Sequence, residues 1–235
     1  NLAGAFYQPS LVLCDTNTLS TLPDEIFRDG CAEVIKYGIL YDRNFFDYLG
    51  STGVSFDREK VIRRCVELKR DVVAEDEFDT GARMKLNLGH TVGHGIEANS
   101  QFAVSHGKAV AIGTAIVSRA AAKYGMLSQA DANAIVDILN AYGLPTATEY
   151  SAEELAHFML SDKKRSGGTV NLIIPRDYNP VLNTRDTEIA IKLVKDFFER
   201  ELAKALNNVS TQLARNLYTL ILERNRLKHM LDGLS

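Results

Sequence analysis

The sequence predicts a mainly helical protein with a few short strands. Apolar residues recur three and four positions apart over six segments, which is the spacing of an amphipathic helix. Only two short apolar runs bounded by turn residues are typical of strands. The 235 residues are 46% hydrophobic and 24% charged, which is ordinary composition for a globular domain and not for a disordered or fibrous chain.

The first strand and the first helices are predicted from their boundary residues. Ser10–Asp15 is an apolar run between Pro9 and a polar turn, which indicates a buried strand. Pro23 and the acidic residues after it are typical of a helix start, because carboxylates favour the helix N-terminus. Helices are predicted near residues 24–41, 58–77, 86–99, 106–125, 128–142 and 151–161.

The C-terminal part is predicted to add one strand and further helix. Thr169–Pro175 follows the Gly167-Gly168 turn and is the second strand candidate. Helical spacing resumes near residue 186 and continues, with a break around Asn207-Asn208, to about residue 232. Glu199–Ser235 carries Leu and Ile at helical spacing among mixed charges, which predicts a helical hairpin or an extra partner helix.

Charge and cysteine content exclude several classes of function. Lys and Arg number 27 against 30 Asp and Glu, a net charge of -3, so no broad basic surface for nucleic acid is expected. Cys14, Cys31 and Cys65 are far apart, which predicts buried small hydrophobic residues and neither a disulfide framework nor a Cys zinc site. No apolar run is long enough to span a membrane and no signal peptide is evident, so a cytoplasmic protein is expected.

Two histidines and two glycines form the segment that points most clearly to chemistry. His90 and His94 would share one helix face, and Gly89 and Gly93 flank them at the same spacing. Glycine costs a helix roughly 1 kcal/mol relative to alanine, so the pattern indicates close approach of another group to the backbone. The alternative is a crossing of small residues beside two core histidines.

A third metal ligand is available from elsewhere in the chain. His106 begins a predicted helix, where the dipole disfavours the protonated imidazole and metals bind the neutral form. Glu33 lies in an apolar helical stretch with Lys36 one turn on, and the alternative for this pair is a surface ion pair. A catalytic zinc takes three protein ligands and keeps one open position. Spacing favours His90 with His94 and does not distinguish that pair from His90 with His106.

Cations and one acidic residue are predicted to complete the site. The Lys163-Lys164 turn is suited to hold a phosphate or carboxylate, and Asp79 is the member of an acidic run that is expected to point at the histidines. Two further candidate cations are Lys36 and Lys69. If their segment is helical, four side chains follow one another along one face: Arg83, Asn87, His90 and His94.

Six motifs occur in an order that resembles a known enzyme family. The motifs are Asn1–Pro9, Ala32–Gly38, Asp76–Gly81, Leu86–His94, His106–Gly113 and Asp162–Lys164. Each motif is weak alone, but six in order are specific, and together they resemble the C-terminal part of the 3-dehydroquinate synthase family over roughly residues 1–195. The resemblance implies the helical metal- and substrate-binding domain of the dehydroquinate synthase-like fold, which is shared with other sugar phosphate cyclases.

The resemblance also implies a reaction. Members of the family are lyases of the shikimate pathway, which leads to chorismate and the aromatic amino acids. They convert 3-deoxy-D-arabino-heptulosonate 7-phosphate to 3-dehydroquinate and phosphate, using NAD and a divalent metal, Zn²⁺ or Co²⁺. The full-length enzyme is expected to be a cytoplasmic homodimer that binds this small sugar phosphate acid and neither nucleic acid nor membrane.

Residue roles follow from the same resemblance. The implied metal ligands are Glu33, His90 and His106, which overrules the spacing argument for His94. The implied catalytic groups are His94, Asp79 and Lys36. The implied substrate contacts are Lys69, Arg83, Asn87, Lys163 and Lys164. The implied NAD contacts are Asn1, Thr18, Leu19, Ser20 and Thr21.

Three features depart from the family pattern. Many members have Glu at the position of Asp79, so the proton-transfer carboxylate of this chain is shorter. Many also have Glu at the position of Lys108, so the local charge of this chain differs. The Gly-rich turn that binds a nucleotide pyrophosphate has no counterpart in this sequence. We therefore expect Asn1 to follow a cut at a domain junction, and the 235 residues alone to bind metal without turnover.

The sequence predicts three parts. Residues 1–22 are a strand and hinge from the N-terminal domain junction, residues 23–198 are the helical metal- and substrate-binding domain, and residues 199–235 are an extra helical tail.

Three other functions compete with this interpretation. A related cyclase that forms an inosose or a valiolone would not need Lys69 and Arg83, which suit a substrate carboxylate. A metal-dependent polyol dehydrogenase would not need lysines that hold a phosphate. A helical interaction module without catalysis would not need an intact set of metal ligands.

Overall fold

Six α-helices and a two-stranded sheet make up the part of the chain that the computed structural model describes, which is residues 9–78, 81–151, 154–155, 172–175 and 182–184. The helices are α1 (Asp24–Tyr41), α2 (Arg43–Thr52), α3 (Arg58–Glu75), α4 (His90–Asn99), α5 (His106–Lys123) and α6 (Gln129–Ala141). Strands β1 (Leu172–Ile174) and β2 (Leu182–Thr184) are antiparallel. Short 3₁₀ helices cover Thr16–Thr21, Gly53–Ser55 and Ala82–Asn87. The mainly helical prediction is confirmed.

Helix α5 lies at the centre of the packing. Thirteen of its 18 residues are buried, and it contacts α1, α4, α6 and β1. The stretch from Ala109 to Ala121 is apolar on nearly every side, as expected for a helix that is enclosed by others. Because the N-terminus of α5 carries His106, the position of that histidine is determined by the core of the protein.

Helices α4 and α5 cross closely because small residues meet at the crossing. Gly89 has φ of 77°, and a Cβ there would lie 2.6 Å from the Val110 carbonyl oxygen. At Gly93 a Cβ would lie 3.2 Å from the Ala109 backbone. The group that approaches these glycines is therefore the backbone of α5. The histidines beside them are not core residues, since the His90 side chain is 14% exposed and His94 is exposed.

Several predicted boundaries need correction. The predicted 86–99 helix is wrong in its first turn, because Gly89 adopts a left-handed conformation and α4 begins only at His90. Helix α2 was not predicted, although Asp42 caps it and its apolar residues have helical spacing. Of the predicted helix 151–161, the structure describes three residues: Glu154 and Leu155 are helical, and Ser151 is not. The other helices are confirmed to within two residues at each end.

The two strand predictions have different outcomes. Thr169–Pro175 is confirmed at its described core, β1. The strand prediction for Ser10–Asp15 is wrong: among the described residues nothing pairs with this run, and Leu11 and Leu13 are 82% and 86% exposed. Cys14 in the same run is exposed, which corrects its predicted burial, whereas Cys31 is buried and Cys65 is partly buried. All three cysteines are free.

Parts of the predicted organisation cannot be compared with the described residues. The tail 199–235 and the helix predicted from residue 186 lie outside them. The division into residues 1–22, 23–198 and 199–235 stays a prediction. No helix in the described part of the chain is both long enough and apolar enough to cross a membrane.

Asp42 joins three helices near the end of α1. Its Oδ1 accepts a hydrogen bond of 2.9 Å from the Phe45 backbone and caps α2, while its Oδ2 lies 2.6 Å from an Arg64 guanidinium nitrogen on α3. Burial alone would raise the pKa of Asp42, but the Phe45 N–H and the Arg64 charge outweigh burial and lower it below its usual range. Ionised Asp42 therefore stabilises the fold.

We expect Asp42→Asn to lower the free energy of unfolding by about 1 kcal/mol at pH 7, because Asn keeps a cap but loses the charge that pairs with Arg64. A depressed folded-state pKa stabilises the fold above the unfolded-state value of about 3.8, and this contribution disappears as the pH falls through the folded-state pKa. The difference between variant and wild type should therefore narrow below about pH 4 in urea titrations. Asp47→Asn, at an exposed ion pair with Arg43, should change stability by less than about 0.5 kcal/mol. A difference that is independent of pH would contradict the prediction for Asp42.

Candidate metal centre

One carboxylate and two imidazoles from three different helices converge at a single point. Glu33 comes from the middle of α1, His90 from the first residue of α4 and His106 from the first residue of α5. One ligand atom from each lies within 4.8 Å of the others, and no other such cluster of His, Cys, Asp and Glu occurs in the described part of the chain. Two helix N-termini and one helix flank therefore build the site.

The distances within this cluster suit a metal ion. Glu33 Oε1 lies 3.3 Å from His90 Nε2 and 3.6 Å from His106 Nε2. Two ligand atoms that are each about 2.1 Å from a tetrahedral zinc lie about 3.4 Å apart. Among the described residues, Glu33 Oε1 is one of three buried side-chain polar atoms without a hydrogen-bond partner. A buried carboxylate oxygen without a donor fits a cation as its missing partner.

The second oxygen of Glu33 is held by Lys36. Lys36 Nζ lies 2.6 Å from Glu33 Oε2 and donates a 2.6 Å hydrogen bond to the Leu86 carbonyl oxygen. The Lys36 side chain is 4% exposed, and its burial lowers the pKa of the ammonium, an effect that the Glu33 carboxylate opposes. Burial would raise the pKa of Glu33, but the charge of the adjacent Lys36 ammonium opposes burial, and the pKa lies below its usual range. The Glu33 carboxylate is thus ionised, with Oε1 turned toward the imidazoles.

Each imidazole has an acceptor on the side away from Glu33. His90 Nδ1 lies 3.1 Å from the Leu88 carbonyl oxygen, and His106 Nδ1 lies 3.1 Å from Glu97 Oε1. A carbonyl or carboxylate oxygen only accepts, so Nδ1 carries the hydrogen in both contacts. In the neutral form of each ring the lone pair is then on Nε2, which is the tautomer that binds a metal through Nε2.

Asp29 attaches the start of α5 to α1. Its carboxylate accepts hydrogen bonds of 3.1 Å from Gly107 N and 2.9 Å from Lys108 N, and a third from Ser105 Oγ. Asp29 lies four residues before Glu33, so the two acidic residues share one face of α1. Helix α1 therefore supplies Glu33 and also positions the helix that carries His106. Lys108, on α5, also pairs with Glu25 on α1.

The other predicted residues have different positions relative to this cluster. The His94 ring lies 5.7 Å from the His90 ring and 6.4 Å from the His106 ring, between centroids, so it lies beside the cluster of Glu33, His90 and His106. Lys69 is close enough to Lys36 to lower its pKa further. The predicted single line from Arg83 to His94 is wrong, because a 3₁₀ helix and the turn at Gly89 separate Arg83 and Asn87 from α4.

The Arg83 guanidinium donates to the Glu77 carbonyl oxygen over 2.9 Å. The 3₁₀ helix Thr16–Thr21, which contacts α3, contains four predicted site residues: Thr18, Leu19, Ser20 and Thr21. Four predicted site residues lie outside the described part of the chain: Asn1, Asp79, Lys163 and Lys164.

Sequence reasoning did not identify two residues that support the site, Asp29 and Glu97. The only signals in the sequence are their distances from proposed ligands, four residues before Glu33 and seven residues after His90. Both spacings return to the same helix face, but acidic residues on helices are common at such spacings. Both contact α5, which is not their own helix, and the spacing pattern within one helix does not contain such contacts.

Comparison with known proteins identifies relatives. The family model described as "3-dehydroquinate synthase C-terminal" matches residues 30–165, more than half of the chain. Two curated proteins named 3-dehydroquinate synthase, from Aliivibrio fischeri strain MJ11 and Shewanella sp. strain MR-4, are 43% and 41% identical over 184 residues. These matches cover 74% of the chain and 51% of each relative. The chain therefore spans about half the length of the curated relatives it matches.

Solved structures share the fold at lower identity. A 2-epi-5-epi-valiolone synthase from Streptomyces hygroscopicus, with NAD⁺ and Zn²⁺ bound, matches with a TM-score of 0.74 at 23% identity, over 85% of this chain and 59% of that one. A 2-deoxy-scyllo-inosose synthase complexed with carbaglucose-6-phosphate, NAD⁺ and Co²⁺ matches with a TM-score of 0.67 at 21% identity, over 83% and 59%.

Proposed function

Because the chain belongs to the family of 3-dehydroquinate synthase C-terminal domains, we propose that it supplies the metal- and substrate-binding part of a 3-dehydroquinate synthase. The proposed reaction converts 3-deoxy-D-arabino-heptulosonate 7-phosphate to 3-dehydroquinate and phosphate, with NAD and a divalent metal. The observation that carries the proposal is the convergence of Glu33 Oε1, which lacks a hydrogen-bond partner, with the Nε2 atoms of His90 and His106.

Glu33, His90 and His106 are proposed to hold the metal. Three protein ligands leave an open position for substrate, which is the pattern of catalytic rather than structural zinc sites. One carboxylate with two imidazoles suits Zn²⁺ and also accepts Co²⁺. When bound, such an ion polarises hydroxyl and ketone oxygens and lowers the pKa of an alcohol that is to lose a hydride.

The chain's own residues prepare this site. Lys36 keeps the Glu33 carboxylate ionised and oriented, since it contacts Oε2 and leaves Oε1 for the metal. Lys69, whose charge acts on Lys36, is proposed to pair with the substrate carboxylate together with Arg83. His94, exposed beside the three ligands, is positioned to exchange a proton with substrate.

The remaining predicted roles are part of the same proposal. Asn87, Lys163 and Lys164 would contact substrate, Asp79 would transfer a proton, and NAD would be contacted by Asn1, Thr18, Leu19, Ser20 and Thr21. A cytoplasmic homodimer is proposed for the full-length enzyme.

Substrate titration of the Zn²⁺-loaded chain tests the proposal. Calorimetry should give 3-deoxy-D-arabino-heptulosonate 7-phosphate at least about tenfold higher affinity than glucose 6-phosphate, because only the former has a carboxylate for Lys69 and Arg83. Lys69→Ala should remove most of that preference. Lys60→Ala, on the same helix but over the Tyr48 ring, is the matched control and should retain it. Equal binding of both ligands would favour a related sugar phosphate cyclase instead.

A further inference from the structure

Glu97 connects helix α4 to the histidine that begins α5. Its Oε1 lies 3.1 Å from His106 Nδ1, and its side chain is 14% exposed. His90 and Glu97 are seven residues apart on α4, so they lie on the same helix face two turns apart. The helix that supplies one proposed ligand therefore also contacts the imidazole of another.

This contact determines what the His106 ring presents to the metal. The carboxylate accepts the Nδ1 hydrogen, and in the neutral ring the lone pair is then on Nε2, which lies 3.6 Å from Glu33 Oε1. His106 needs such a contact more than His90 does, because its side chain is 48% exposed and that of His90 is 14% exposed. Without an acceptor on Nδ1, a half-exposed imidazole can rotate and change tautomer.

The backbone of Glu97 also makes hydrogen bonds, in addition to its side chain. The Glu97 carbonyl oxygen accepts hydrogen bonds from Phe102 N at 2.7 Å and from Ser100 Oγ at 3.0 Å. Gln101 and Phe102 have φ of 53° and 63°, a left-handed conformation that non-glycine residues rarely adopt. The turn between α4 and α5 is thus tight, and Glu97 contacts it through the backbone and reaches His106 through the side chain.

We propose that Glu97 is a positioning residue of the metal centre, which orients His106 and sets its tautomer without binding the metal itself. This inference rests on the metal site in the proposed function. Outer carboxylate partners of metal-binding histidines typically change metal affinity by about 10–100-fold when they are removed.

The test measures metal binding by the full chain. Zn²⁺ affinity is obtained by competition with a chromophoric chelator, and the visible absorption of the Co²⁺ form reports ligand geometry. Glu97→Ala should weaken Zn²⁺ binding by about 10–100-fold and alter the Co²⁺ spectrum. Glu97→Gln should lie between wild type and Glu97→Ala in both measurements, because a neutral amide oxygen still accepts but gives a weaker hydrogen bond.

Two further variants separate the possible explanations. Ser100→Ala removes a contact of the same turn without touching the Glu97 carboxylate, so it should keep wild-type Zn²⁺ affinity and spectrum. If Ser100→Ala loses as much Zn²⁺ affinity as Glu97→Ala, the effect belongs to the turn and the proposal is overturned. His106→Ala should bind no stoichiometric Zn²⁺; full binding there would refute the metal site itself, and with it the proposed function.

A different result would refute the role of Glu97 and leave the metal site intact. If His106→Ala loses the metal but Glu97→Ala keeps wild-type affinity and spectrum, the metal site stands and the role of Glu97 is refuted. If circular dichroism shows that Glu97→Ala is unfolded, Glu97→Gln decides, and wild-type values in both measurements for that variant overturn the proposal.

Discussion

His106→Ala is expected to abolish stoichiometric Zn²⁺ binding, with a loss of affinity greater than about 100-fold. The variant retains Glu33 Oε1 and His90 Nε2, but binding to two ligands does not offset the free energy that the ion loses when its hydration water is removed. Even an outer partner of a ligand is worth about 10–100-fold, so a direct ligand should be worth more. Elemental analysis of the purified chain and chelator competition measure the effect.

His94→Ala is the matched control for this loss. His94 is also a histidine of α4 and its ring is 5.7 Å from that of His90, yet it lies outside the cluster of Glu33, His90 and His106. The His94→Ala variant should therefore bind one full equivalent of Zn²⁺. The reverse pattern, with metal retained in His106→Ala and lost in His94→Ala, would restore the pair of histidines on one helix as ligands and reject the cluster.

Gly107→Ala is expected to destabilise the protein by at least about 3 kcal/mol and to weaken metal binding. A Cβ at this position would lie 2.0 Å from the Asp29 carbonyl oxygen and 2.7 Å from Asp29 Cγ, far inside contact distance. The clash is with backbone, so α5 has to move away from α1, and overpacking of this kind typically costs 1–3 kcal/mol or more. The three hydrogen bonds to Asp29 would be lost or stretched, and His106 would move away from Glu33.

Gly30→Ala is the control for this substitution. Gly30 follows Asp29 on α1, but a Cβ there has no atom within 4 Å and the helix would gain propensity. We expect Gly30→Ala to be neutral or to stabilise by up to about 1 kcal/mol in urea denaturation. Equal stability of Gly107→Ala and wild type would show that α5 does not pack against α1 at Gly107, and that Asp29 does not position His106 in this way.

The helices were predictable where local spacing and capping residues agree. α1 was predicted with the bounds that it has, because Pro23 and two acidic residues mark its start and apolar spacing runs through it. α2 was missed because ten residues contain few turns of periodicity. The run Ser10–Asp15 was mistaken for a buried strand, since an apolar sequence does not specify what covers it.

The metal site shows the limit of local reasoning in another way. A separation of four residues favours His90 and His94 as the pair of metal ligands, because a helical pattern identifies only neighbours on the same helix. The family resemblance implied a different set of ligands: Glu33, His90 and His106. These three residues converge in the structure. The contact of His106 with the others depends on the crossing of α4 and α5, which the small residues at Gly89 and Gly93 make possible.

The sequence by itself determined the helical class, most helix bounds and the chemistry available at the site, because periodicity, capping and residue type are local properties. Only the tertiary structure decided which side chains meet. It placed the Lys36 ammonium against the Leu86 carbonyl oxygen, Asp29 at the start of α5 and Glu97 beside His106. Those contacts join residues up to 79 positions apart, and packing of helices, not spacing within one, brings such residues together.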